Sequence, residues 1–173
     1  LEVKTNDGAY LIKYLSDKIV ETSFIPKGET FNPNSEAVIK SQEKNKVKLS
    51  DGIGALMLFS KEITVLIDKA PFKISYLTNG EIILSEKNGY AKNENNETIE
   101  FNISPEEKLY GGGSRALETM NRRGNKLQLY NRASYGYQTH ADLMNFCIPV
   151  VLSSKMYAVH FDNAAIGYLD LDS

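Results

Sequence analysis

The stretch "PFKISYLTNGEIILSE", residues 71–86, constrains the fold more than any other. Two strand-like runs, 71–77 and 81–86, flank Thr78-Asn79-Gly80. Asn-Gly tolerates positive φ at both centres of a tight turn, and that turn matches the twist of paired strands. The stretch therefore predicts an antiparallel hairpin. The same pattern recurs elsewhere. Residues 9–15 and 19–25 flank Ser16-Asp17-Lys18 as a second hairpin. Further strands are expected over 62–68, 98–103, 108–112, 126–131, 145–153, 156–162 and 165–171. Helical periodicity is scarce. Only 32–42 and 114–121 read as short helices, and both are marginal in length without tertiary support. The polar, Asn-rich run 87–97 is expected as an exposed, mobile loop. Many strands and almost no helix predict an all-β chain: a large antiparallel β-sandwich with one or two short helices, in a single domain over 1–173.

Bulk properties exclude several functions. Lys and Arg number 20 against 22 Asp and Glu, a net charge of −2, so no basic face points to nucleic acid. No apolar run approaches the roughly 18 residues of a membrane span. Cys147, the single cysteine, lies in "MNFCIPVVL" and reads as a buried thiol. It has no partner for an internal disulfide, and no Cys/His cluster suggests a metal. The chain starts at Leu1 without Met and stops just after a strand-like run, so a longer parent chain is expected.

"LYGGGSRALETM", residues 109–120, raises a different possibility. Gly111-x-Gly113-x-x-Ala116 fits the loose G-x-G-x-x-G/A dinucleotide fingerprint. That fingerprint also needs a βαβ unit and an acidic residue about 20 residues on. Here the candidate helix breaks at Arg122-Arg123-Gly124, and the next strand ends in Asn131-Arg132. No Gly-Lys-Ser/Thr follows, so the phosphate-loop form fails as well. The glycines are instead expected to permit a bulge, a bend or a close backbone approach.

Residues 101–163 resemble the N-terminal domain of glycoside hydrolase family 31 enzymes, the α-glucosidases, α-xylosidases and relatives. The resemblance is an ordered series. "PEEKLYGGG" is similar to the family's Glu-x-x-Tyr-Gly-x-Gly, and "RRG" and "LYNRASYGY" follow. "NFCIPVVLSS" then looks like an Ile-Pro-Phe run, and "MYAVHFDN" like a Gly-x-x-x-Asp-Asn element. The resemblance implies a galactose-mutarotase-like supersandwich without catalytic residues of its own. The parent's two carboxyl groups would lie on a (β/α)₈ barrel beyond this chain, and the double displacement would need no metal or cofactor. The implied partners are that catalytic barrel domain of the same parent chain and a carbohydrate substrate. A glycosidase role favours a periplasmic or secreted setting.

The resemblance also implies a supporting sugar subsite in the loop "NRASYGYQTHADLMN", 131–145. Tyr135 and Tyr137 offer flat apolar faces with polar tips, while Arg132, Ser134 and His140 can hydrogen-bond hydroxyls. The competing reading is an ordinary polar loop with its aromatics tucked onto the sandwich. With the barrel surface absent, the loop is expected to be poorly ordered or unusually exposed. Ala133 departs from the Asp that many family α-glucosidases carry, and Ser114-Arg115 replaces a Glu-led pair. Asp162, Asp170 and Asp172 read as solvated strand ends, and His160 as facing away from the buried side of its strand. Three other functions stay open: an independent carbohydrate-binding module, a His-dependent sugar epimerase and a purely structural sandwich.

Overall fold

The computed structural model describes residues 1–173 except 36, 40–45, 94, 142–143 and 172–173. The chain divides into two compact units, Leu1–Ile103 and Ser104–Ser173. No helix occurs among the described residues.

The first unit is a two-layer sandwich. Strands β1 (Glu2–Lys4), β2 (Gly8–Ser16) and β3 (Ile19–Pro26) form one antiparallel sheet in sequence order. Strands β4 (Lys48–Asp51), β5 (Ala55–Phe59), β6 (Ile63–Lys69), β7 (Phe72–Thr78), β8 (Glu81–Lys92) and β9 (Glu97–Asn102) form a six-stranded antiparallel meander. Side chains alternate between the faces of a strand, and the core follows that period. Tyr10, Ile12 and Tyr14 of β2 meet Leu58, Val65, Ile67 and Ile74 of the larger sheet. Two tyrosine tips in this core find partners. The Tyr14 hydroxyl lies 3.0 Å from the Leu58 carbonyl oxygen, and the Tyr10 hydroxyl accepts from the Tyr90 N–H at 2.8 Å. Ile67 is 0% exposed. Ile67→Val is expected to cost about 0.5–1.5 kcal/mol, read as a lower urea midpoint at unchanged slope.

Both expected hairpins form. At the β7–β8 turn Asn79 has φ 50° and Gly80 φ 82°, the two positive values that Asn-Gly permits. Residues 87–97 depart from the expected mobile loop. β8 runs on to Lys92, and its turn is closed by the Asn93 side chain, which accepts from the N–H groups of Asn95 and Asn96. Tyr90 holds this extension down, stacking on Phe24 at 4.0 Å between ring centroids. β4 and β5 were not expected. Their signal is the short "ALMLF" run behind a Gly-rich turn.

The second unit holds β10 (Leu109–Gly111), β11 (Lys126–Leu129), β12 (Val150–Ser153), β13 (Ala158–His160) and β14 (Gly167–Asp170). They pair antiparallel in the orders β10-β12-β13 and β11-β14. The expected strand 145–153 shortens to β12, and the expected helix 114–121 is absent. Backbone donors in and beside that segment serve distant carbonyls instead of a helical ladder. Ser114 N–H goes to Phe146, and Arg122 N–H goes to Leu109. The helix expected over 32–42 is not seen at its described positions, and its remainder, 36 and 40–42, lies outside the described residues.

Candidate functional site

The loop between β11 and β12 carries the residues proposed for sugar contact. Its base is closed by two asparagines. Asn131 Oδ1 accepts the Cys147 N–H at 2.7 Å, and Asn145 Oδ1 accepts the Ser134 N–H at 3.3 Å. Its return arm is fastened to the segment after the glycines. Gly112 N–H donates to Val150 O at 3.0 Å, Ser114 N–H to Phe146 O at 3.1 Å and His140 N–H to Ala116 O at 2.7 Å. A Cβ on Gly113 would sit 2.6 Å from both Cys147 Cα and Ile148 N, and one on Gly111 would sit 2.2 Å from Val150 O. Close backbone approach is therefore what "GGG" supplies.

The loop's aromatics are not tucked away. Tyr135 is 93% exposed and Tyr137 52%, while Arg132 and His140 are exposed and Ser134 is half-buried. His140 Nε2 lies 3.2 Å from Glu118 Oε1. His140 also borders an open pocket of about 210 Å³, beside Arg115, Asn125 and Lys126, which the other four candidates do not line. Cys147 is half-buried rather than fully buried, because its neighbours Phe146 and Ile148 lie at the exposed rim of the loop. His160 is exposed on β13. Asp162 and Asp170 are exposed, and Asp172 lies outside the described residues.

The side chains that fix this region are ones the sequence reading passed over. Glu107 is 3% exposed. Its Oε1 accepts from Ser153 Oγ at 2.5 Å and from the Tyr157 hydroxyl, and its Oε2 accepts from Ser104 Oγ at 3.2 Å. Lys155 Nζ adds a charge at 3.4 Å. Burial pushes the Glu107 carboxyl up, but the bonds from Ser153 and Tyr157 and the Lys155 charge outweigh it and hold it below the usual range. Arg123 Nη1 donates to the Ser104 and Glu107 carbonyls, and Arg122 Nη1 to Thr119 O. Arg115 Nε and Nη2 donate to Gly112 O and Gln128 O. Glu107 and the "RRG" arginines stand in the quoted motifs, but charged residues default to the surface when read from sequence.

These features define two all-β antiparallel units, the second of which carries an anchored, solvent-facing loop of polar and aromatic residues. The chain belongs to the glycosyl hydrolase 31 N-terminal galactose mutarotase-like domain family, whose model matches residues 10–170. It is 26% identical over 167 residues to alpha-glucosidase 2 of Bacillus thermoamyloliquefaciens, covering 90% of this chain and 21% of that protein. Among solved structures it superposes on a Flavobacterium johnsoniae GH31 dextranase complexed with glucose, with a TM-score of 0.87 at 21% identity, covering 96% of this chain and 21% of that one. A GH31 alpha-xylosidase from Xanthomonas citri gives 0.79 at 19% identity, covering 97% and 19%. The chain thus spans about a fifth of the length of these relatives.

Proposed function

We propose that the chain is the non-catalytic N-terminal domain of a retaining α-glycosidase. It packs as one domain on the catalytic barrel of the same parent chain and lends 131–145 to the sugar pocket. The parent hydrolyses α-glucosides or related sugars, with both reacting carboxyl groups on the barrel. The observation that carries the reading is Tyr135. It is 93% exposed on a loop fastened to the 112–116 segment by the Ser114 N–H to Phe146 O and the His140 N–H to Ala116 O, in a chain whose family model spans 10–170. An aromatic face held out on a fixed base suits the apolar C–H face of a pyranose. Arg132, Ser134, Tyr137 and His140 supply hydrogen-bonding tips around it.

The test is Tyr135→Ala in the parent enzyme. A loss of about fivefold in kcat/KM on an α-glucoside is expected, because one stacked ring is worth on the order of 1 kcal/mol. An unchanged kcat/KM would remove the loop from the pocket. The isolated chain is expected to hydrolyse nothing. Heat on titrating it with maltose or xylose would favour an independent carbohydrate-binding module instead.

A further inference from the structure

Glu86 of β8 lies in the core of the first unit at 1% exposure, a position for which the proposed function has no use. Its Oε2 accepts the Ile74 N–H at 3.0 Å, and its Oε1 has no hydrogen-bond partner. Among the described residues, Tyr10 of β2 and Tyr76 of β7 interact electrostatically with it, and neither brings a positive charge. On β9 the residue opposite is Phe101. A carboxylate there would keep its charge out of water with only one donor to compensate it. The β8–β9 ladder shifts register between Glu86 and Tyr90, and Gly89 in that interval has φ 72°. The Tyr90 N–H, where pairing resumes opposite Ile99, donates to the Tyr10 hydroxyl. The interrupted stretch therefore rests on the same tyrosine that faces Glu86.

We propose that Glu86 is a proton-operated latch: neutral, it closes the bulge of β8 onto the sandwich core, and ionised, it loosens that bulge. Burial pushes the carboxyl up to about 7, offset only in part by the Ile74 N–H. A raised carboxyl means the folded chain holds its proton to higher pH than the unfolded chain does. Stability therefore falls as pH rises from the ordinary carboxylate range to about 7, and levels off above. Linkage makes the folded-to-unfolded ratio roughly 50- to 100-fold lower at pH 8 than at pH 5 from this group alone.

The test compares urea unfolding of wild type, Glu86→Gln and Glu81→Gln, the last an exposed carboxylate on the same strand, from pH 5 to 8. Taking the difference between wild type and each variant cancels the other titrating groups. Glu86→Gln is expected to lose the fall that Glu81→Gln retains, and Tyr90 amide exchange in wild type is expected to quicken at pH 8 beyond its intrinsic rise. Equal pH slopes in all three proteins would overturn the latch. Should Glu86→Gln fail to fold, carboxyl-carbon NMR of wild type decides: a Glu86 midpoint near neutrality supports the latch, and one in the ordinary carboxylate range overturns it. None of these outcomes depends on the glycosidase reading.

Discussion

Gly113→Val is expected to unfold the 104–173 unit under conditions where the wild type is folded. Two costs add. Gly113 has φ 86°, a region in which a β-branched residue is an outlier. Its Cβ would also lie 2.6 Å from backbone atoms of Cys147 and Ile148, and backbone cannot rotate out of the way as a side-chain tip can. Strain and overpacking together are expected to cost about 3–6 kcal/mol, a large part of a domain's stability. Gly136→Ala separates the two terms. Gly136 has φ 77°, yet nothing lies within 4 Å of an added Cβ, so about 1 kcal/mol of strain is expected. Urea unfolding followed by tyrosine fluorescence is the measurement, since the chain has no tryptophan. Equal losses in the two variants would show that close approach is not what Gly113 provides.

Glu107→Ala is expected to cost about 3 kcal/mol. The Ser153 and Tyr157 hydroxyls and Lys155 would lose their common acceptor, and removing one member of a buried charged network leaves the others unpaired. Glu107→Gln preserves the shape and one acceptor oxygen, so a smaller loss is expected. The carboxyl is held below its usual range, and a lowered carboxyl stabilises the fold above its unfolded value. That contribution is lost as pH falls through the lowered folded value. Acid unfolding of Glu107→Gln is therefore expected to lack part of the wild-type pH dependence. An Ala variant as stable as wild type would show that the network is not holding β10 to β12.

Most of the first unit was legible because its residues alternate. Tyr10, Ile12 and Tyr14 point one way along β2, and Asn79-Gly80 sets a turn that few other pairs accept. Legibility failed where side-chain polarity and backbone role diverge. Residues 87–92 look like loop by composition, yet Tyr90 stacks on Phe24 and residues 90–92 pair with β9. Residues 114–121 look helical by spacing, but Ser114 N–H bonds to Phe146 O and Ala116 O accepts from His140 N–H, both far away in sequence. At the candidate site, the sequence supplied the loop and its tyrosines. The buried roles of Glu107 and Arg122 came only with their partners.

The sequence by itself determined the all-β class, the two hairpins, the family resemblance and the place of the polar-aromatic loop. Each of these is written in residues near one another, by period, by turn chemistry or by ordered motif. The tertiary structure alone decided that Gly113 passes within contact of Cys147, that Glu107 gathers Ser153 and Tyr157, and that Glu86 is shut in the core against the Ile74 N–H. Those facts concern which distant groups share a space, and a charged or flexible residue takes its energy from that space rather than from its neighbours in the chain.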